Sequence, residues 1–227
     1  MLPPLDEPRP GGAHRLLEAG VVAFAERGYH GVSVRDLAGA AGMKAASVYA
    51  HFASKEALLA EIMLLGHQAH QAHVRDAILG AGPDPADQLR AAVRANVAFQ
   101  ATYPLLTIVC TSELHALAPG TRDRVITTRH DSGVLIAAVI ERGNATGAFH
   151  CDDTWLALSA IGAMGVRVAW WYRPPALRAT DSPLSDYPRE AASWLPDDEY
   201  DIETIADVYA TFALRLVAAD SQPFSRE

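Results

Sequence analysis

The stretch VRDLAGAAGMKAASVYAHF at 34–52 concentrates the residues best placed to do chemistry, and that chemistry is recognition rather than bond making. It reads as an apolar helix, a turn with glycine, and a short helix whose outer side is small: Ala45, Ala46 and Ser47. A helix enters the major groove of DNA only if its exposed side is slim enough to reach base edges and thymine methyls. Polar groups around its rim then fix the register on phosphates. Lys44 and Lys55, which bracket the short helix, are the only lysines in the chain.

Other groupings carry less. His67, His70 and His73 recur every third residue on one expected helix. Steps of three drift around a helix, no local Cys or carboxylate completes a ligand set, and a polar helix face near a domain junction is the better reading than a metal site. Glu113, His115 and Asp152 are the best titratable groups for an enzyme built in the helical region, without motif support. The chain has no phosphate-cradling glycine loop, no GxSxG and no HExxH. No cofactor or metal is implied, and the chain reads as a non-enzyme.

Composition sets the frame for these groups. The 227 residues are 50 % hydrophobic and 20 % charged, which excludes a disordered chain. Nineteen Lys plus Arg against 27 Asp plus Glu give a net charge of −8, which by itself argues against a nucleic-acid partner. The excess is local: residues 181–207 hold nine acids and one base, whereas 13–65 are neutral, with five bases against five acids. No run of about 18 apolar residues suggests a membrane span, and the start MLPPLDEPRPGGA lacks signal-peptide character, so a cytoplasmic protein is expected. Cys110 and Cys151, without a CxxC, fit a reducing compartment as small apolar groups.

The elements that must position the motif are helices throughout. Leu17, Val21 and Phe24 predict a first helix over about 13–28, stopped at Gly28. Ser33 three residues before Asp36 predicts a capped second helix, broken at Gly42; a third covers about 44–51, and Ser54 caps a fourth from Lys55. Further helices are expected from Pro85 to about Tyr103, from Pro104 to before Pro119, over about 121–142 with a stop near Gly143, over about 153–172, and over about 201–219. The proline-rich, acidic stretch at about 173–200 reads as an insertion.

These pieces resemble the TetR family of bacterial transcription regulators over residues 13–60, where LLEAGVVAFAERGYHGVSVRDLAGAAGM and SVYAHFASKEALL match at fixed spacing. The resemblance implies an all-α fold with a flexible leader (1–12), a three-helix helix-turn-helix DNA-binding domain (13–65), and a helical ligand-binding and dimerisation domain (66–227). It places Tyr49 and His51 against the phosphate backbone, Lys55 on a phosphate at the fourth helix's positive end, Lys44 and Ser47 toward the groove, and Arg35 on a flanking phosphate. Each also has a plainer reading: Tyr49 and His51 as packed rings with polar tips, Arg35 as a partner of Asp36. The family often has a polar or basic residue and glycine where this chain has Ala45 and Ala46, which shifts readout toward methyl contacts and DNA shape.

By the same resemblance the protein is a homodimeric repressor, paired through its last two long helices, and released from a palindromic operator by a small hydrophobic or acyl-CoA-like effector. The effector-lining residues would be Phe99, Tyr103, Cys110, Glu113, Arg129, Arg167 and Trp171. VRVAWWYRP at 166–174 resembles the WY ending of the eighth helix in acyl-CoA-responsive members, although such an aromatic cluster also suits a core or a dimer interface. A ligand carrier with a vestigial head is the remaining alternative.

Overall fold

The computed structural model describes residues 2–4, 11–172 and 200–218. All regular elements among them are helical. They are α1 (Gly11–Arg27), α2 (Val34–Ala40), α3 (Ala45–Val48), α4 (Lys55–Gly80), α5 (Pro85–Thr102), α6 (Pro104–Ser112), α7 (Pro119–Thr146), α8 (Thr154–Trp171) and α9 (Ile202–Leu216), with a 3-10 turn at Leu114–Ala116. No helix among them is long and apolar enough to cross a membrane. The acidic insertion expected at 173–200 lies, except for Tyr200, outside the described residues.

Local signals account for most boundaries. Ser33 and Asp36 form a reciprocal capping box: Ser33 Oγ accepts the Asp36 N–H at 3.2 Å, and Asp36 Oδ2 accepts the Ser33 N–H at 2.8 Å. Ser54 Oγ accepts the Ala57 N–H at 3.0 Å, Asp84 Oδ1 accepts from Ala86 and Asp87, and Asp201 Oδ1 accepts from Thr204. Each satisfies an amide that the first helical turn leaves open.

Three boundaries differ clearly from expectation. The sixth helix, expected to run to before Pro119, ends at Ser112 and gives way to the 3-10 turn at Leu114–Ala116. The third helix is four residues long, and 49–51 continue as turns, with His51 N–H donating to the Val48 carbonyl at 2.9 Å. The seventh does not stop at Gly143 but runs to Thr146, where Gly147 at φ +77° ends it in the left-handed region. Gly143 has a packing role: a Cβ there would come within 1.9 Å of the Phe149 ring.

The chain forms two compact units. Among the described residues the first comprises 2–4, 11–69, 102–129 and 169–172, and so joins α1–α3 and the first part of α4 with α6 and the first third of α7. Leu16, Leu17, Phe24, Leu37, Leu58, Leu59, Ile62, Met63 and Leu106 are all but excluded from solvent in its core, with Leu2 from the leader also buried. The second comprises 70–101, 130–168 and 200–218, with Leu89, Val93, Ile140, Ile161 and Ala213 among its buried residues.

Candidate nucleic-acid interface

In the first unit α3 turns its side chains two ways. Val48 and Phe52 are buried, while Lys44, Ala46, Ser47, Tyr49, Ala50 and His51 are exposed and Ala45 is partly so. Tyr49, at the end of α3, has 59 % of its surface open, so it is not the packed ring of the plainer reading. The His51 ring lies over the start of α1, where a Cβ on Gly12 would come within 2.5 Å of Nε2. Arg35 is exposed in the first turn of α2. Its neighbour Asp36 accepts the Ser33 hydroxyl and N–H at Oδ2, and these bonds hold the Asp36 carboxyl below the usual range.

Lys55 differs from a free phosphate-seeking ammonium. Its Nζ donates to the carbonyls of Tyr29 at 2.8 Å and Val32 at 2.7 Å, and sits 4.0 Å from the centroid of the Tyr29 ring. The charge stays beside the α2 start, but two donors are spent on the loop between α1 and α2. The helix-turn-helix bend is fastened separately: Arg15 Nε–H donates to the Ala41 carbonyl at 3.1 Å.

The residues read as effector-lining fall in both units. Tyr103, Cys110, Glu113, Arg129 and Trp171 belong to the first, Phe99 and Arg167 to the second. Cys110 and Glu113 are buried, whereas Arg129 and Arg167 are exposed. Cys110 packs against α4, where a Cβ on Gly66 would lie 2.8 Å from Sγ, and burial pushes its thiol up to about 12. It is therefore an inert apolar group, and both cysteines are free. Glu113 Oε2 accepts the Tyr29 N–H at 3.0 Å, and His115 Nδ1 lies 2.9 Å from the Ser112 carbonyl, so both side chains engage backbone. A groove of about 450 Å³ in the second unit, lined by α4, α5 and α9, uses none of the seven.

One member of the histidine triplet departs from the expected polar helix face, while His73 is exposed. His70 turns inward, with Nε2 2.9 Å from Asn96 Oδ1 and Nδ1 3.1 Å from Ser132 Oγ. Gln100 Nε2–H donates to the same Asn96 oxygen at 3.3 Å. An amide oxygen only accepts, so the neutral ring carries its proton on Nε2 and the Ser132 hydroxyl donates to Nδ1. In the sequence the only trace of this cluster is the histidine spacing, because Asn96, Gln100 and Ser132 look like ordinary surface residues.

Burial, the main cause, holds the His70 pKa below its usual 6.5. Between the lowered folded value and 6.5 the unfolded chain binds the extra proton. Stability is therefore complete above 6.5 and falls with pH below it, by about 1.4 kcal/mol per pH unit until the folded value is reached. Urea unfolding at pH 7 and 5.5 should show a steeper acid loss for wild type than for His70→Gln; equal losses would remove His70 as the cause.

Residues 16–62 match the family described as bacterial regulatory proteins, tetR family, and residues 82–175 match the tetracyclin repressor-like C-terminal domain. The HTH-type transcriptional repressor KstR2 of Rhodococcus jostii RHA1 is 30 % identical over 189 residues, spanning 82 % of this chain and 92 % of that protein. A bacterial regulatory protein in the tetR family from Rhodococcus RHA1 superposes with a TM-score of 0.78 at 27 % identity, over 94 % of this chain and all of that one. AibR, in a crystal structure with isovaleryl coenzyme A and operator DNA, shares the fold with a TM-score of 0.71 at 21 % identity, over 88 % of this chain and 97 % of that one.

Proposed function

This chain belongs to the TetR family of bacterial transcriptional regulators, DNA-binding proteins rather than enzymes, and from that premise we propose that it is a homodimeric repressor released from a palindromic operator by a small hydrophobic or acyl-CoA-like effector. Residues 13–65 serve as the DNA-binding domain and 66–227 as the effector-binding and dimerisation domain. The observation that carries the DNA side is the exposure of Tyr49, Ser47 and Lys44 on a short helix whose inward residues, Val48 and Phe52, are buried. Lys44, Ala45, Ala46 and Ser47 face the groove, Tyr49, His51 and Arg35 meet the backbone, and Lys55 keeps its charge near the phosphates while fastening the loop before α2.

Pairing is supported by apolar faces left open on α8 and α9, the last two helices among the described residues. Val208, Phe212 and Leu216 recur every fourth residue on α9, each more than 40 % exposed, and Trp155 and Leu156 are exposed at the start of α8. Apolar groups so arranged favour a self-complementary contact, and a two-fold dimer presents two short recognition helices to two half-sites. The effector class is supported by AibR, in which this fold holds isovaleryl coenzyme A. Release by such a molecule requires that it bind one arrangement of the dimer more tightly than the other.

The test is Tyr49→Ala, measured against the tightest duplex that the wild-type protein selects from a random-sequence library. The variant should weaken binding by roughly tenfold across sequences, with the salt slope unchanged because a neutral phenol releases no counterion, and with its unfolding temperature unchanged. Wild-type affinity would refute the assignment of the interface.

A further inference from the structure

The loop between α1 and α2 is held from outside by two opposite charges. Glu113, the C-cap of α6, is 9 % exposed and accepts the N–H of Tyr29, 84 residues earlier in the chain, at 3.0 Å. Lys55 takes the carbonyls of Tyr29 and Val32 at 2.8 and 2.7 Å. Ser33, the N-cap of α2, follows Val32 directly, so the start of α2 takes its position from this loop. α2 packs on α3, and α1 packs on both α2 and α6. A second carboxylate ties the same region: Glu56 Oε1, in the first turn of α4, accepts the Ala118 N–H at 2.8 Å just before α7.

A buried carboxylate bonded to one particular amide is a poor choice for mere solubility and an expensive group to strand. It is a good choice for fixing geometry, because moving the loop leaves a buried charge without its donor. We propose that Glu113 is a positioning residue for operator binding: through the Tyr29 amide it sets the loop from which α2 starts, and hence the presentation of α3, without touching DNA. This rests on the DNA-binding reading of the head given above. It also gives Glu113 a task other than lining an effector site, since its Oε2 serves the head.

The experiment uses the full-length protein and the duplex selected by wild type. Glu113→Ala should weaken binding by about tenfold, the scale of one charge-assisted bond lost. The slope of log affinity against log salt should stay at the wild-type value, because no phosphate contact is removed. Hydrogen exchange at the Tyr29 amide should accelerate, and Glu113→Gln, which keeps an acceptor oxygen, should restore most of the affinity. Should the alanine variant fail to fold, Glu113→Asp replaces it; one methylene shorter, it should show the same loss at the same slope. Wild-type affinity, or a loss accompanied by a shallower slope, would overturn the proposal. Tyr49→Ala is run beside it: if that variant alone weakens binding, Glu113 has no positioning role, and if neither does, the interface itself is misplaced.

Discussion

Gly165→Ala is expected to lower the unfolding temperature by roughly 6–12 °C, although alanine in a helix is ordinarily worth about 1 kcal/mol more than glycine. Gly165 lies inside α8, and a Cβ there would come within 2.0 Å of Asn96 Nδ2 and 2.8 Å of Asn96 Cγ. The amide must move, and it is not free to do so, since Asn96 Oδ1 accepts from both His70 and Gln100. Displacing it leaves two donors unsatisfied in the interior, at about 1–3 kcal/mol each. Net of the helix gain, about 3 kcal/mol is lost, and each kcal/mol is worth roughly 2–4 °C in a chain of this size. Calorimetry on wild type and variant checks it; a melt at or above wild type would mean that Asn96 relaxes without leaving its partners. The Asn96 bond raises the His70 pKa against burial, so its loss should widen the gap from the unfolded value, and the acid sensitivity assigned to His70 should grow in this variant.

What could be read from the sequence was what is encoded within one or two helical turns. The start of α2 follows from Ser33 and Asp36, the start of α4 from Ser54, and the start of α5 from Asp84 and Pro85, because each cap closes on amides two or three residues away. What needed the structure was contact between distant segments. Gly143 looks like a helix terminator until Phe149 is seen against it. Glu113 looks like a candidate effector or catalytic group until its partner, 84 residues away, is identified. Lys55 is recognisable as a motif cation, but that it spends two donors on carbonyls 23 and 26 residues earlier has no signature in spacing or charge. His70 follows the same pattern: its spacing was visible, but its inward direction depends on α5 and α7 supplying Asn96 and Ser132.

The placement of Lys55 also sharpens the electrostatics of the head. With five bases against five acids over 13–65, the head has no surplus charge with which to hold DNA, and one of its two lysines is partly engaged. Affinity must then come from fit of the slim helix into the groove more than from counterion release, so nonspecific binding should be modest and its salt slope shallow.

A head that binds by fit should be unusually intolerant of bulk and negative charge on α3, and Ala46→Glu should therefore reduce operator affinity by about a hundredfold or more. Ala46 is exposed on the second residue of α3, and its side chain closes no core and caps no helix. Glutamate is close to alanine in helix propensity, so the fold and the melting temperature should stay near wild type. At the interface the new carboxylate adds length where the helix must approach base edges, and negative charge among phosphates. A wrong group at one base-reading position costs about 1–3 kcal/mol, and a symmetric dimer incurs the cost at both half-sites. Ala46→Ser, small and neutral, should lose far less, which separates bulk and charge from any requirement for alanine itself. Titration of both variants against the wild-type-selected duplex at two salt concentrations checks this. If Ala46→Glu bound within a few fold of wild type, α3 would not lie in the groove, whereas a loss persisting at high salt would identify steric exclusion, rather than charge, as the larger part of the effect.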